Sequence, residues 1–347
     1  MHKLLALGDL LVPAEFMEVG FEPLRRAGVE VIVRQWEHAA IAQLQRDNLL
    51  VEQGGPEAVA LPEELTHDVA EFDLLSVQFA PVGASLIEAA ARLRLIAVLR
   101  GGVENVAVAA ATERGIAVLN TPGRNARAVA EFTVGVILAE VRNIARSHAA
   151  LKQADWRKTF PNSAHIPELY GKTVGLVGYG YVGFLVAGML HAFGCRLLAY
   201  DPYAKRDPAP AALVDLPTLL RESDVISVHA RLTDESYHLI GEAELAQAKP
   251  TAVLVNTARS GLVDEVALID ALRTGRLGGA ALDVFDEEPL PADHPFLTLD
   301  NLTLTPHLAG GTRDAFANSP RLMANHLLGM LAGQGDLPVV NGVQLAF

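Results

Sequence analysis

The sequence predicts an α/β fold with two doubly wound domains, each built on a parallel sheet. The chain has 347 residues and half of them are hydrophobic, which suits two domains that each bury a core. Apolar strand-like runs alternate with helical patterns along both halves, and this alternation is typical of parallel sheets. The alternation restarts near Thr173 after a long helical pattern over 126–144, so we place a domain boundary between the halves.

The first half contains strand-like runs separated by helical patterns, which imply a parallel sheet. The polar interval around Gly54-Gly55-Pro56 and Leu61-Pro62 predicts loops around short helices. The predicted strands are 3–8, 29–35, 72–78, 94–100 and 116–120, and the predicted helices are 13–27, 84–92 and 104–114.

The second half has the content of a six-stranded dinucleotide-binding domain. A last helix, at about 312–333, is expected to return to the first domain. The predicted strands begin at 173 and continue at 196–200, 224–229, 252–257, 279–285 and 302–305, and the helices between them lie near 217–222, 242–248 and 264–274.

Three glycines mark the turn after the strand at 173. Gly178, Gly180 and Gly183 have the G-x-G-x-x-G spacing, between an apolar strand-like run and an apolar helical run. The first glycine makes a tight turn, the second lets the backbone approach a pyrophosphate, and the third lets the helix pack on the strand. A tight connection between a strand and a helix would also explain three glycines, so a second sequence feature is needed to indicate dinucleotide binding.

Asp201 is that second feature. It ends the strand-like run Arg196-Leu-Leu-Ala-Tyr-Asp201, 23 residues after Gly178, close to the expected spacing of about 20. Its carboxylate can accept hydrogen bonds from ribose hydroxyls and would repel a 2′-phosphate. The pattern therefore predicts NAD rather than NADP as the cofactor.

Composition narrows the possible partners. Lys and Arg number 28 against 41 Asp and Glu, and the net charge of −13 argues against binding to nucleic acid or to an anionic membrane surface. Cys195 is the only cysteine, so we expect no internal disulfide and a reducing compartment. The apolar start is too short for a signal peptide and no run approaches 18 apolar residues, so a soluble, cytoplasmic protein is expected. No metal site is expected.

Polar residues that follow the strands of the second half are candidates for chemistry, because ligands collect at the carboxyl ends of such strands. Arg259, Glu288 and His307 stand out. A guanidinium can hold a carboxylate, a histidine can move protons near neutral pH, and a carboxylate beside the histidine fixes its tautomer. Each also has a simpler explanation: Arg259 as a turn cap, Glu288 as one of three consecutive acids and His307 as a strand terminator.

Several motifs along residues 100–310 together resemble the D-isomer-specific 2-hydroxyacid dehydrogenase family, whereas the first 70 residues match only in their strand and helix rhythm. The motifs are Arg100-Gly-Gly-Val-Glu-Asn105, Asn120-Thr-Pro-Gly-Arg-Asn125, Asn256-Thr-Ala-Arg259-Ser-Gly261, Asp283-Val-Phe-Asp-Glu-Glu288-Pro289 and Thr305-Pro-His307-Leu-Ala-Gly310. The resemblance implies a flavodoxin-like substrate-binding domain at 1–121 and 308–347, a Rossmann NAD-binding domain at 122–307, and a cleft between them. It also implies a homodimer formed through the nucleotide domain, and helix 126–144 is the candidate contact.

The resemblance further implies an NAD-dependent oxidoreductase that transfers a hydride between nicotinamide and C2 of a D-2-hydroxy acid or 2-keto acid. Arg259 would hold the substrate carboxylate and His307, paired with Glu288, would be the acid and base. Amides of Gly101, Gly102 and Val103 would also bind the carboxylate, whereas the cofactor would contact Gly178, Gly180, Tyr181, Val182, Gly183, Asp201, Ala258 and Asp283.

Two positions depart from the family pattern. Arg231 stands where the family usually has proline, and it either adds a cation near the cofactor or only lies on the surface. Gln78, a substrate-binding candidate, matches the position of an arginine in the phosphoglycerate-specific members, which favours an unphosphorylated substrate.

Two other functions stay open. D-3-phosphoglycerate dehydrogenase remains an alternative because Arg100, Arg124 or Arg127 could supply the missing charge. An NAD(H)-sensing binding protein of the corepressor type is an alternative of another class, and it would bind NADH with little turnover.

Overall fold

A computed structural model of the chain describes residues 2–165, 167–204, 208–333 and 337–344. The chain forms two compact units. Unit 1 comprises Met1–Asn125 and Thr312–Phe347, and unit 2 comprises Ala126–Gly311.

Unit 1 is built on a five-stranded sheet in which every paired strand is parallel to its neighbour. The strand order β2-β1-β3-β4-β5 is the flavodoxin-like order, which the family resemblance led us to expect. The strands are β1 (Lys3–Gly8), β2 (Glu30–Gln35), β3 (Leu74–Val77), β4 (Leu95–Val98) and β5 (Ala117–Leu119).

Helices separate these strands, and one of them differs from the prediction. Residues 41–54, expected as loops around short helices, form a continuous helix of 14 residues. Its sequence is mostly polar, with only Leu44 and Val51 buried, so the apolar periodicity that predicts a helix is weak there. The helices are α1 (Ala14–Arg26), α2 (Ile41–Gly54), α3 (Ala84–Ala89) and α4 (Val108–Glu113).

Unit 2 carries a seven-stranded parallel sheet with the order β12-β11-β10-β9-β6-β7-β8. The six predicted strands are present. The seventh, β8, was missed because it has only two residues, both exposed, at the edge of the sheet. The strands are β6 (Thr173–Val177), β7 (Arg196–Tyr200), β8 (Ala212–Leu213), β9 (Val225–Val228), β10 (Val253–Asn256), β11 (Gly279–Leu282) and β12 (Leu302–Leu304).

The helix predicted over 126–144 is wrong in its extent. It ends at Val141, and a second helix begins at Ile144 after Asn143, whose φ is 56° and whose Nδ2 donates to Oδ1 of Asn162 at 2.7 Å. Asparagine tolerates this left-handed conformation better than most residues, so it can break the helix locally. The helices of unit 2 are α5 (Ala126–Val141), α6 (Ile144–Lys152), α7 (Tyr181–Ala192), α8 (Leu216–Glu222), α9 (Glu242–Leu245) and α10 (Glu265–Arg273).

Helix α5 covers the sheet of its own unit. Its apolar side chains, including Ala130, Val134 and Ile137, join a core cluster with residues of β6, β7 and α7. The last helix, α11 (Arg313–Leu331), returns to unit 1 and packs along α1, as the sequence predicts.

Candidate active site

The turn between β6 and α7 requires glycine at two positions. Gly178 has a φ of 98°, and a Cβ there would lie 2.4 Å from the backbone nitrogen of Ala230. A Cβ on Gly183 would lie 2.3 Å from the carbonyl oxygen of Gly178. Both contacts are far closer than atoms can approach. A side chain at Gly178 would displace the segment after β9, and one at Gly183 would push α7 away from the turn after β6.

Gly180 differs from the other two glycines because no atom of the described residues occupies the space beside it. A Cβ built on Gly180 has no heavy atom of those residues within 4 Å, and its φ of −79° lies outside the left-handed region that favours glycine. Packing within the described residues therefore does not require glycine here. The open space lies at the first turn of a 12-residue helix, where free N–H groups bind anions, so it fits the pyrophosphate of a dinucleotide.

Asp201 lies beyond β7, next to this turn. Its Oδ2 accepts a hydrogen bond from the Tyr179 N–H at 2.8 Å and its Oδ1 accepts one from the Tyr203 N–H at 2.8 Å. A carboxylate has about four acceptor positions, so two remain for ribose hydroxyls. The side chain thus hydrogen-bonds to the glycine turn and retains two acceptor positions for the ribose hydroxyls of NAD.

His307 and Glu288 form a hydrogen-bonded pair. Nδ1 of His307 lies 2.8 Å from Oε2 of Glu288, and Oε1 of Glu288 accepts the N–H of Phe285 at 3.0 Å. An ionised carboxylate can only accept, so Nδ1 is the donor and Nε2 is left available for a substrate. The His307 side chain is 52% exposed, which leaves it accessible.

The backbone around His307 is held by Asp283, which directly follows β11. The φ of His307 is 54°, a conformation that costs free energy for residues other than glycine. The buried Asp283 carboxylate accepts the N–H groups of Leu308 and Ala309, each at 2.9 Å, and the hydroxyl of Thr305 at 2.6 Å. Asp283 therefore fixes the loop on both sides of the histidine.

Arg259 follows β10 and is positioned by Asn256. The buried amide of Asn256 accepts the Ala258 N–H at 3.0 Å and donates to the carbonyl oxygen of Arg259 at 2.9 Å. The guanidinium donates to the carbonyl oxygen of Ala258 at 2.7 Å. It forms no ion pair with any acid in the described residues, so its charge is available to an anion.

The three candidate side chains follow adjacent strands of one sheet. Arg259 follows β10, Glu288 lies beyond β11 and His307 follows β12, and β10, β11 and β12 are paired in parallel. Their carboxyl ends therefore lie at one edge of the sheet, the edge that also carries Gly178.

In unit 1, the residues singled out from the sequence lie at the carboxyl ends of β3 and β4. Gln78 is completely buried, Gly101 is exposed, and Gly102 and Val103 are partly exposed. Arg100 is engaged by its own unit, since its guanidinium lies 2.7 Å from Glu52 and 3.1 Å from Glu104.

The family model for the D-isomer specific 2-hydroxyacid dehydrogenase, NAD binding domain, matches residues 134–309, half of the chain and nearly all of unit 2. A glyoxylate reductase of Thermofilum pendens is 41% identical over 285 residues, which cover 80% of this chain and 84% of that protein. The chain belongs to the D-isomer specific 2-hydroxyacid dehydrogenase family. It is an NAD-dependent oxidoreductase, and the fold class predicted from the sequence is confirmed.

Some relatives of this dehydrogenase are longer chains. A D-3-phosphoglycerate dehydrogenase of Archaeoglobus fulgidus is 41% identical over 288 residues, and the chain spans about half of that protein, 53%. Among solved structures, the D-lactate dehydrogenase of Lactobacillus jensenii with NAD⁺ has a TM-score of 0.74 and 25% identity, with 97% of this chain and 99% of that chain covered.

Some residues around the site of the dehydrogenase were not identified from the sequence or were left open. The sequence did not predict that the amide of Asn256 would hold the loop of Arg259, or that the carboxylate of Asp283 would hold the loop of His307. A polar residue at the end of a fully buried strand, or directly after it, was the sequence feature that could have indicated both. Arg231 lies on the surface, and the structure gives its side chain no partner in the described chain. His229, taken as structural, has Nε2 2.9 Å from the Ser227 hydroxyl, and burial lowers its pKa to about 3.

The described residues hold no group of three or more His, Cys, Asp or Glu able to bind a metal ion. They also hold no helix that is both long and apolar enough to cross a bilayer.

Proposed function

We propose that this dehydrogenase interconverts an unphosphorylated D-2-hydroxy acid and its 2-keto acid, with His307 as the acid and base. The observation that carries the proposal is the 2.8 Å contact between Nδ1 of His307 and Glu288. This contact leaves Nε2 of an exposed imidazole free to exchange a proton, which is what alcohol oxidation and carbonyl reduction need.

Each side chain has a definite part in that reaction. Arg259 holds the substrate carboxylate and the neighbouring carbonyl oxygen, because its guanidinium pairs with no carboxylate of the described residues. NAD, when bound, supplies or accepts the hydride at C2. His307 donates the proton to the oxygen in reduction and removes it in oxidation, and Glu288 stabilises the imidazolium form. Since charge develops on that oxygen, Arg259 and His307 act mainly on the transition state.

The proposed NAD site uses the turn after β6 and its neighbours. The open space beside Gly180 and the remaining acceptor positions of Asp201 support it. The residues proposed to contact NAD are Gly178, Gly180, Tyr181, Val182, Gly183, Asp201, Ala258 and Asp283, and those proposed to contact the acid, besides Arg259, are Gln78, Gly101, Gly102 and Val103.

We further propose that unit 2 is the nucleotide-binding domain and unit 1 the substrate-binding domain, and that the protein is a cytoplasmic homodimer. We extend the expected dimer contact over 126–144 to α6, because half of the 16 residues of α5 are buried within unit 2. Exposed apolar side chains follow α5: Ile144 and Leu151 of α6 are 56% and 55% exposed. Light scattering on Leu151→Glu would give a monomer if α6 forms the contact, and an unchanged dimer would exclude it.

A second candidate is D-3-phosphoglycerate dehydrogenase, because relatives with that name are 41% identical to the chain. Gln78 in place of an arginine and the engagement of Arg100 by two carboxylates argue against it. Turnover of 3-phosphoglycerate compared with D-glycerate decides between them.

The experiment is a panel of 2-keto acids with NADH and NADPH, followed at 340 nm, on the wild type and two variants. We expect turnover with NADH. His307→Gln should bind NADH normally and lose about 10²–10⁴-fold in kcat, while Asp201→Asn should weaken the preference for NADH over NADPH. Wild-type kcat in His307→Gln would exclude the assignment, and NADH binding without turnover of any acid would favour the corepressor-type protein.

A further inference from the structure

Arg231 follows β9, at the edge of the sheet that carries the candidate active site. β9 lies between β6 and β10, and its last residue is paired in register with the last residues of both neighbours. Arg231 lies three residues beyond the end of β9, just as Arg259 and His307 lie three residues beyond the ends of β10 and β12. It therefore occupies, after its own strand, the position that the two candidate catalytic residues occupy after theirs.

The residues on either side of Arg231 contact two parts of the site. A Cβ on Gly178 would lie 2.4 Å from the backbone nitrogen of Ala230, so Ala230 lies against the glycine turn after β6. A Cβ on Gly261 would lie 3.3 Å from both Cδ atoms of Leu232, so Leu232 packs on the loop after β10. Arg231 is therefore held between the turn proposed to bind NAD and the loop that carries the proposed carboxylate-binding arginine.

The loop that carries Arg231 has its own internal hydrogen bonds. The hydroxyl of Ser236 donates to the carbonyl oxygen of Arg231 at 2.7 Å and accepts the N–H of Thr233 at 2.8 Å. The neighbouring acid, Glu235, is engaged elsewhere, because its Oε2 accepts the hydroxyl of Tyr203 at 3.0 Å. The backbone of Arg231 is thus fixed, and the Glu235 carboxylate is already hydrogen-bonded to the loop after β7.

The guanidinium of Arg231 is exposed and makes no hydrogen bond or ion pair within the described residues. Several other cations of unit 2 lie at the opposite edge of the sheet: Lys172 precedes β6, Arg196 begins β7, and Lys249 lies 2.7 Å from Asp224, which precedes β9. The whole chain carries a net charge of −13. An uncommitted cation at the ligand-binding edge of such a chain is placed to attract an anion.

We infer that Arg231 binds the diphosphate of NAD, at the phosphate nearer the nicotinamide. The inference rests on the cofactor site of the proposed function, in which NAD extends from Asp201 after β7, over the glycine turn after β6, to the catalytic residues after β10–β12. The strand order β7-β6-β9-β10 puts the loop after β9 between that turn and those residues. A guanidinium can donate two parallel hydrogen bonds to phosphate oxygens, in addition to those from the N–H groups at the start of α7.

Two other anions fit this position less well. The 2′-phosphate of NADP would lie at Asp201, and β6 separates the loop after β7 from the loop after β9. Because neighbouring strands lie about 4.8 Å apart, the ends of β7 and β9 are about 10 Å apart, twice the distance from β9 to the glycine turn. The carboxylate of the substrate is already matched by Arg259, whose guanidinium pairs with no acid of the described residues.

The test is the dissociation constant of NADH, measured by fluorescence titration at low and at high ionic strength. Arg221→Gln is the matched control, because Arg221 is exposed in the last turn of α8, before β9, and its loss removes the same charge at the other end of that strand. We expect Arg231→Gln to weaken NADH binding about tenfold at low ionic strength and less at high ionic strength, and Arg221→Gln to bind as wild type. Arg231→Lys keeps the charge without the planar guanidinium and should give an intermediate constant.

Calorimetry with ADP-ribose and with adenosine tests which part of the cofactor Arg231 contacts. ADP-ribose contains the diphosphate and should lose affinity for Arg231→Gln as NADH does, whereas adenosine has no phosphate and should bind variant and wild type equally. A larger loss for NADPH than for NADH would assign Arg231 to the ribose 2′-position and overturn the inference. An unchanged constant for NADH with a raised KM for the keto acid would assign Arg231 to the substrate and overturn it as well.

The inference and the proposed function can fail separately. If no keto acid is reduced but Arg231→Gln weakens binding of NADH and ADP-ribose, the proposed reaction is wrong and the inference stands. If keto acids are reduced and Arg231→Gln binds NADH as wild type, the inference is wrong and the proposed reaction stands. Chemical unfolding covers a structural role of Arg231: a less stable Arg231→Gln that also binds adenosine more weakly would overturn the inference, whereas wild-type stability with weaker NADH binding supports it.

Discussion

Oε2 of Glu288 lies 2.8 Å from Nδ1 of His307, although the two residues are separated by a proline-containing loop and strand β12. The other oxygen of Glu288 accepts the N–H of Phe285, so the carboxylate is held at both atoms. A carboxylate fixed in this way orients the imidazole and keeps its proton on Nδ1. The pair therefore acts as one unit, and disturbing Glu288 should affect the chemistry of His307.

Glu288→Gln should reduce kcat by about 10²–10⁴-fold with little change in NADH binding, because the amide can misorient the imidazole and no longer stabilises its charged form. The measurement is kcat by steady-state kinetics, together with the dissociation constant of NADH by fluorescence titration. Glu287→Gln, at the exposed neighbouring acid, is the control and should behave as wild type. An equal loss of kcat in both variants would show that the consecutive acids act only through their combined negative charge, and not through the contact between Glu288 and His307.

Asp283→Asn should reduce kcat about 10²-fold and the free energy of unfolding by about 1–3 kcal/mol. The carboxylate accepts three hydrogen bonds around His307, and an amide turned towards the N–H groups of Leu308 and Ala309 would present a donor to donors. Thr305→Val removes only one of these contacts and should have a smaller effect. If Asp283 acts instead by binding nicotinamide, the dissociation constant of NADH will rise while stability is unchanged, and fluorescence titration with chemical unfolding distinguishes the two results.

Most of the fold could be predicted from the sequence because it follows local periodicity. Every predicted strand is present, since each is a short apolar run between turn residues. The misses occur where that signal is absent: α2 buries only Leu44 and Val51, and β8 has two exposed residues. Asn143, at the break between α5 and α6, hydrogen-bonds to Asn162, 19 residues away, and no local sequence pattern contains that contact.

The candidate site also has features that the sequence predicts and contacts that it does not. The glycine turn and Asp201 could be derived from spacing, because their function is tied to one strand and one helix. The contact between Glu288 and His307 could not, since sequence carries no distance, and only the family resemblance suggested it. The resemblance implied that Asp283 contacts the cofactor. Within the described residues, the hydrogen bonds of its side chain go to the loop around His307, and a buried carboxylate needs such partners.

His229 should make the free energy of unfolding depend on pH. Burial lowers its pKa to about 3, below the ordinary value of 6.5, so between these two values the unfolded chain binds a proton that the folded chain does not. Its contribution is therefore fully present above pH 6.5 and is lost as the pH falls towards 3. His229→Gln should flatten the decline of unfolding free energy between pH 7 and pH 4 by on the order of 2 kcal/mol. His191→Gln, exposed on α7, should leave the decline unchanged, and an equally steep decline in His229→Gln would contradict the prediction.

Gly180→Ala should separate nucleotide binding from folding. A Cβ at Gly180 meets no atom of the described residues within 4 Å, and its φ of −79° lies outside the left-handed region, so the free energy of unfolding should change by no more than about 1 kcal/mol. If a pyrophosphate lies against this backbone, the added methyl group will occupy its place, and the dissociation constant of NADH should rise at least about tenfold. Fluorescence titration and chemical unfolding measure the two quantities on the same protein.

Two other glycines provide the controls. Gly188→Ala, inside α7 with open space around it, should leave NADH binding unchanged and stabilise the helix by up to about 1 kcal/mol. Gly178→Ala should lower stability by about 3 kcal/mol or more, because its Cβ would strike the backbone of Ala230 at a φ of 98°. Normal NADH affinity in Gly180→Ala would mean that the diphosphate does not approach the second glycine, and the site proposed at this turn would be wrong even though the fold around it is right.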